Sequence, residues 1–396
     1  MPTVELARGR EKSVINGHPW IFSGAIDRIK GSPGIGETVK VAAYGGEPLG
    51  LGAFSPGSQI RVRMWSNDPD GDIDRSFFRL RIERAVKTRV SLPAAGIETT
   101  AYRLVNGESD WLPGLIVDRY GDFLVCQFLS AGPEYFKDLF LSLLSELKPL
   151  TGIFERSDAD VREKEGLALK KGLLWGCEPP ELIEITEGPC RFLVDIRAGQ
   201  KTGFFLDQRA NRARLAAYCN GAELLNCFSY TGAFAVRALK AGALFATNLD
   251  ESGSALELCS RNMELNGIGR QRFDNLQGNA FKVLRQYREQ GRRFDIIVLD
   301  PPRFVDSRSH LMRASRGYKD INLLALNLLR SGGYLFTFSC SGLLSPELFL
   351  KIVADAALDA GREVRILERL GQAPDHPVGL HFPEGNYLKG LICRVW

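Results

Sequence analysis

Toward the carboxyl end of the chain, bulky apolar runs alternate with segments whose apolar residues recur at helical spacing. Runs at 223–228, 245–250, 295–300 and 333–338 have the length and content of buried strands. Residues 232–240, 252–265, 279–290 and 318–330 read as helices. Alternation of this kind predicts a mostly parallel sheet covered on both faces, an α/β domain over 188–396. The run at 333–338 follows the pair Gly332-Gly333 and stops at Ser339-Cys340-Ser341-Gly342, so it reads as a strand opening into a loop of small residues.

The first 70 residues are patterned differently. Short alternating or apolar pieces at 20–22, 38–41, 49–54 and 59–65 are separated by Gly24, Gly31, Pro33-Gly34, Gly45-Gly46 and Pro56-Gly57. Punctuation at this rate predicts a small β domain over 1–70. A polar, turn-rich linker at 67–72 leads into a helix carrying Phe77, Phe78, Leu80, Ile82, Ala85 and Val86. Beyond it come strand, turn and strand through 102–122, a strand from 123, helical spacing over 135–147 and a strand from 152. These predict an α+β middle domain over 71–187, without a catalytic constellation of its own.

Composition narrows the class. The 396 residues are 44% hydrophobic and 25% charged, ordinary for a globular protein. The amino terminus lacks the apolar core of a signal peptide, and no apolar run approaches the ~18 residues that span a bilayer. The expected location is cytoplasmic, away from membranes. The eight cysteines show no Cys-x-x-Cys spacing and there are four histidines, which speaks against a disulfide framework and a metal site. Net charge is +4 but unevenly placed. Arg75, Arg79, Arg81, Arg84, Lys87 and Arg89 crowd one segment. Lys282, Arg285, Arg288, Arg292, Arg293, Arg303, Arg308, Arg313 and Arg316 form a second series. Each suits a polyanion or, equally, a solvated helix face. Arg8, Arg10, Arg61 and Arg63 make the amino-terminal piece mildly basic.

The first α/β strand leads into Asn226-Cys-Phe-Ser-Tyr-Thr-Gly232 and a helix, and the second ends at Asp250. A tight turn into a helix followed by an acid about twenty positions on is the plan of a ribose-binding doubly wound sheet. The Gly-x-Gly-x-x-Gly of a pyrophosphate site is missing, which favours a nucleoside cofactor without phosphates, S-adenosylmethionine first. Asn279 is positioned for the adenine edge. The loop at 199–209, with Lys201, Phe204 and Gln208, is expected to close over the methionine end. On the substrate side, Asp300-Pro-Pro ends one strand and Cys340 follows another. Cysteine prefers interiors, which favours core filler for Cys340. A thiol and a carboxylate at neighbouring strand ends suit pyrimidine C5 methylation instead, with thiolate attack on C6 making C5 nucleophilic and a carboxyl near N3 holding the charge. The target base must be unstacked to enter such a site.

Residues 1–70 resemble a PUA domain, a pseudo-barrel that binds structured RNA. Asn226-Cys-Phe-Ser-Tyr-Thr-Gly232, Asp300-Pro-Pro-Arg-Phe304, Arg316-Gly-Tyr-Lys-Asp-Ile-Asn322 and Phe338-Ser-Cys-Ser341 together resemble the bacterial ribosomal RNA large-subunit methyltransferase I family. Arg103-Leu-Val-Asn-Gly-Glu-Ser-Asp and Gly385-Asn-Tyr-Leu-Lys-Gly390 extend the likeness over essentially the whole chain. The resemblance implies a PUA domain, an α+β middle domain and a class I methyltransferase domain with a Rossmann-like doubly wound sheet. It implies S-adenosylmethionine as cofactor and 5-methylcytosine formation in 23S ribosomal RNA. Carried over, Cys340 is the nucleophile, Asp300 the pyrimidine-contacting carboxylate, and Phe228, Gly232, Asp250 and Asn279 cofactor contacts. Arg8, Arg10, Arg61, Arg63, Arg303 and Lys319 are the expected RNA contacts. Three departures stand out: no second cysteine accompanies Asp300-Pro-Pro, Asn279 replaces a commoner aspartate, and Arg303 a frequent lysine. An exocyclic-amine methyltransferase and a non-catalytic RNA-binding assembly factor stay open as alternatives, as does a homodimer.

Overall fold

The computed structural model describes residues 1–90, 98–304 and 308–396. They form two compact units rather than three consecutive blocks. One comprises Met1–Ile185, Val194–Leu206 and Pro374–Gly385; the other comprises Thr186–Leu193, Asp207–Ala373 and Asn386–Trp396.

Among its described residues, the first unit holds a six-stranded sheet in the order Trp20–Phe22, Ile60–Ser66, Pro48–Phe54, Thr38–Ala42, Thr3–Leu6, Ile26–Lys30. The last two strands have no counterpart in the hydrophobic pattern. Ile26–Lys30 is a polar, exposed edge strand, so it lacks the apolar alternation that marks a half-buried one. Val4, Leu6, Val39, Val41, Val62 and Met64 close the core beneath this sheet. A five-stranded sheet follows, in the order Lys170–Gly176, Gly152–Ser157, Phe123–Phe128, Leu115–Tyr120, Ala101–Asn106. Ala53 and Trp65 of the first sheet pack into the core of this second one with Phe78 and Ile82 of the helix Arg75–Val90. The Trp65 and Phe78 rings meet edge to face at 5.1 Å. A polar linker therefore marks a change of pattern near residue 70 without separating the cores.

Two basic residues read as candidate polyanion contacts, Arg63 and Arg89, serve the interior instead. Arg63 is buried, and its guanidinium donates to both carboxylate oxygens of Glu165 at 2.8 and 2.9 Å. It is thus withdrawn from the RNA contacts, whereas Arg8 and Arg10 are exposed and Arg61 partly so. On the helix Arg75–Val90, Arg75 and Arg79 pair with Glu146, and buried Arg89 grips Asp110 with two 2.7 Å bonds.

Among its described residues, the second unit is built on a seven-stranded sheet. In chain order its strands are β1 (Glu223–Cys227), β2 (Phe245–Asp250), β3 (Phe273–Gln277), β4 (Phe294–Leu299), β5 (Leu329–Ser339), β6 (Val364–Leu370) and β7 (Lys389–Val395). The spatial order is β3-β2-β1-β4-β5-β7-β6, parallel except for β7, which runs antiparallel to both neighbours. Besides the short helix Arg209–Leu215, the helices include α1 (Ala233–Lys240), α2 (Gly253–Leu265), α3 (Ala280–Glu289), α4 (Leu311–Leu328) and α5 (Pro346–Asp359). Ser252 caps α2 by accepting from Ala255 N, and Ser345 caps α5 ahead of Pro346. Helix α4 starts well before residue 318, because exposed Met312, Arg313 and Arg316 give its first turns no apolar stripe. Gly332 and Gly333 lie inside β5 rather than before it. Gly332 has φ 80°, and the β4–β5 pairing shifts register between Phe294 and Ile296, so the glycines mark a bulge.

Glu165→Ala leaves the Arg63 charge buried without its partner. It is expected to lower unfolding free energy by about 3–5 kcal/mol in urea titrations followed by tryptophan fluorescence. Arg61→Ala is expected to change it by no more than about 0.5 kcal/mol.

Candidate active site

The carboxyl ends of β1, β2 and β3 carry the residues expected to hold the cofactor. Leaving β1, the chain takes left-handed backbone at Phe228 (φ 59°) and Tyr230 (φ 47°), then at Gly232 (φ 79°). Two non-glycine residues in this region cost on the order of 1–3 kcal/mol each, a strain typical of ligand-binding turns. Gly232 begins α1, and a Cβ there would sit 2.2 Å from the Cys259 sulfur on α2. Both its φ and this close approach require glycine. Asp250 holds the turn in place. One of its carboxylate oxygens accepts from Tyr230 N at 2.8 Å and the other from Ser252 N at 2.9 Å. Asn279 caps α3, accepting from Lys282 N at 3.3 Å, while its amide donates to Glu251 Oε1 at 2.7 Å.

Phe228, Gly232, Asp250 and Asn279 thus come together at one end of the sheet. Exposed Glu251 joins them; its position directly after Asp250 was the signal that sequence reasoning passed over. A polar nucleoside fits this end. Among the described residues, the buried hydroxyls of Ser229 and Thr231, in the strained turn, have no hydrogen-bond partner. Gln208 lies in the same unit but is buried, its side-chain oxygen accepting from Asn211 Nδ2 at 2.5 Å. Lys201 and Phe204 belong to the first unit. There the Lys201 ammonium lies 4.6 Å from the centre of the Phe205 ring, and Phe204 is buried with its amide on the Tyr120 hydroxyl.

Along the same carboxyl edge, β4 lies parallel between β1 and β5, with Leu299 paired to Cys227 on one side and to Thr337 on the other. Asp300 leaves β4 directly into Pro301-Pro302, and Cys340 leaves β5 directly. Both are partly exposed. Tyr318 on α4 responds to both. Its buried hydroxyl accepts from Ser339 Oγ at 3.0 Å, and burial, helped by the charges of Cys340 and Asp300, pushes it up to about 12. Six of the eight cysteines are buried, and burial raises the thiols of Cys126, Cys190, Cys219, Cys227, Cys259 and Cys393. Of the two that are not, Cys177 lies in the other unit and Cys340 is here. Cys340 is therefore not core filler.

Around this end, Arg303, Arg313 and Arg316 are exposed, while Lys319 is tied to Asp359 at 2.7 Å. The Arg308 side chain lies outside the described residues. Tyr318 and Lys389, which the sequence placed within motifs but gave no role, both belong to this end of the sheet. Among the described residues no helix is long and apolar enough to cross a membrane.

A family model for S-adenosylmethionine-dependent methyltransferases matches residues 171–392, and one for PUA-like domains matches residues 4–67. The sequence is similar to the ribosomal RNA large subunit methyltransferase I of Shewanella amazonensis, with 52% identity over 99% of each chain. It is similar to the Escherichia coli protein of the same name, with 50% identity over 98% of each. The structure is similar to that of a candidate S-adenosylmethionine-dependent methyltransferase from Streptococcus mutans (23% identity, TM-score 0.85), over 100% of both chains. It is similar over the same extent to a candidate methyltransferase in complex with S-adenosylhomocysteine (23% identity, TM-score 0.87). The two structural likenesses bear on the fold. The family model makes S-adenosylmethionine the cofactor of this sheet.

Gly232→Ala brings a methyl group against Cys259 in a left-handed turn. It is expected to weaken S-adenosylhomocysteine binding by at least about tenfold in calorimetry, or about 1.4 kcal/mol, while the circular dichroism spectrum is retained. Unchanged affinity would contradict the assignment of this turn to the cofactor.

Proposed function

Because this chain belongs to the ribosomal RNA large subunit methyltransferase I family, we propose that it methylates C5 of a cytosine in 23S ribosomal RNA through a covalent bond from Cys340 to C6. The carrying observation is the partly exposed thiol at the end of β5, beside the strand that ends at Asp300. When bound, S-adenosylmethionine supplies an electrophilic methyl carbon on a sulfonium. Phe228, Gly232, Asp250 and Asn279 are the residues that would hold it.

The remaining chemistry belongs to the chain's own side chains. The Cys340 thiolate adds its electron pair to C6, and the C5–C6 π pair moves onto C5 and toward N3. The Asp300 carboxyl, hydrogen-bonded at N3, holds the charge that builds there. C5 is then an enamine-like carbon that can accept a methyl group. Once methylated, it loses its proton to a base, the C5–C6 double bond re-forms, and the C6–Sγ pair returns to sulfur. No cysteine stands at Asp300-Pro-Pro to serve this last step. An exocyclic-amine mechanism would leave Cys340 without use, and the thiol's partial exposure supports the covalent reading. The exposed Arg8 and Arg10 of the PUA-like domain, with Arg303 near the thiol end, support a polyanionic substrate. Such a substrate goes with a cytoplasmic enzyme.

Incubation with S-adenosylmethionine and undermodified 23S ribosomal RNA, followed by nucleoside analysis, is expected to yield 5-methylcytidine. Cys340→Ala should abolish it, and Asp300→Asn should slow it by about 10²-fold or more. Methyladenosine or methylguanosine as product, or full activity in Cys340→Ala, would overturn the proposal.

A further inference from the structure

None of the steps above uses Lys389, yet its side chain is buried at the thiol end of the sheet. In the antiparallel β5–β7 pairing, Lys389 stands opposite Ser339, the residue before the thiol. Its ammonium donates to the carbonyl oxygen of Ser341, the residue after the thiol, at 2.6 Å, and to that of Tyr387 at 2.8 Å. Lys389 therefore brackets Cys340 along the chain. The residue is 7% exposed, and among the described residues its hydrogen-bond partners are carbonyls rather than carboxylates. A buried ammonium in such a setting favours a nearby anion.

The charged and titratable groups around it are few. Burial is the larger effect and lowers Lys389 to about 8, against the opposing pull of the Cys340 charge. From α4, Tyr318 is neutral at physiological pH, and its hydroxyl is bonded to Ser339. Asp300 comes from the end of β4 and acts on Tyr318. The Tyr387 hydroxyl is turned to Asp207 at 2.7 Å.

We propose that Lys389 is the positioning residue of the nucleophile: its ammonium fixes the turn at 339–341 and stabilises Cys340 as the thiolate. This rests on the reading of Cys340 as nucleophile. On ionisation the S–H electron pair stays on sulfur and the proton passes to solvent, while Lys389 keeps its own. The sign follows from linkage. An ammonium beside the thiol favours the charged form of sulfur and lowers the pH at which it appears, for as long as Lys389 stays protonated. The value of about 8 already includes the pull of the thiolate, so the support is full well below pH 8 and fades as pH rises through it and the lysine deprotonates.

The test is iodoacetamide alkylation of the free enzyme, in a Cys177→Ser background, with Cys340 followed by peptide mass spectrometry across pH. Lys389→Met and Lys389→Gln are each expected to raise the alkylation midpoint by about one pH unit or more. Lys389→Arg should hold it at or below the parent value. Whichever neutral variant keeps the parent melting temperature decides the matter. A midpoint that does not move in that variant, or an arginine variant that shifts as far as the neutral ones, would overturn the proposal. The readout needs no RNA, so the two claims fail separately. An unmoved midpoint with inactive Cys340→Ala removes only the role of Lys389. A moved midpoint with active Cys340→Ala removes the nucleophile.

Discussion

The parallel pairing of β4 with β5 is the constraint on which the site depends. Their register sets Leu299 beside Thr337, and each strand ends within a few residues of that pair. Pro301 and Pro302 have no N–H to extend the ladder, so β4 releases Asp300 at its carboxyl edge. The small residues after Ser339 let β5 release Cys340 on the same edge. A thiol and a carboxyl group forty positions apart in sequence thereby come to one end of a rigid sheet. The antiparallel β7 then brings Lys389 in from near the end of the chain. Chemistry and packing meet at Tyr318, whose ring lies in the core of the sheet while its hydroxyl senses both functional groups.

The cofactor end obeys the same logic with different means. Asp250 uses both carboxylate oxygens on backbone amides, one in the turn after β1 and one at the start of α2. That clamp offsets the strain of left-handed Phe228 and Tyr230. Each carboxylate oxygen retains lone-pair capacity for a ribose hydroxyl. The tight contact of Gly232 with Cys259 ties α1 to α2, so a structural cysteine indirectly shapes the binding turn.

Much of this was legible along the chain, and the exceptions have physical causes. Strand β4 matches the run read at 295–300 to within one residue at each end, because a strand buried on both faces writes a near-continuous hydrophobic signal. Strand β6, by contrast, alternates weakly at the sheet edge, and β7 inserts between β5 and β6 through contacts that no local pattern encodes. Arg61 and Arg63 look alike in sequence, two positions apart on one strand. Only the fold reveals that Glu165, about a hundred residues on, holds Arg63 inside. Cys340 was the converse case. Residue type favoured burial, whereas its place after a strand end favoured exposure, and position prevailed. The carboxylates that pair with Arg75, Arg79 and Arg89 of the basic helix, Glu146 and Asp110, likewise come from elsewhere in the chain.

The covalent bond between Cys340 and C6 is the central claim, and trapping tests it most directly. With 5-fluorocytidine in place of cytidine in the ribosomal RNA, C5 carries no proton to lose, so the adduct cannot be released after methylation. In the presence of S-adenosylmethionine, a denaturant-stable protein–RNA species should form, and digestion should locate the modified nucleotide on the peptide bearing Cys340. An enzyme that methylates normal RNA yet never traps the fluorinated one, or traps it through another residue, would contradict the account.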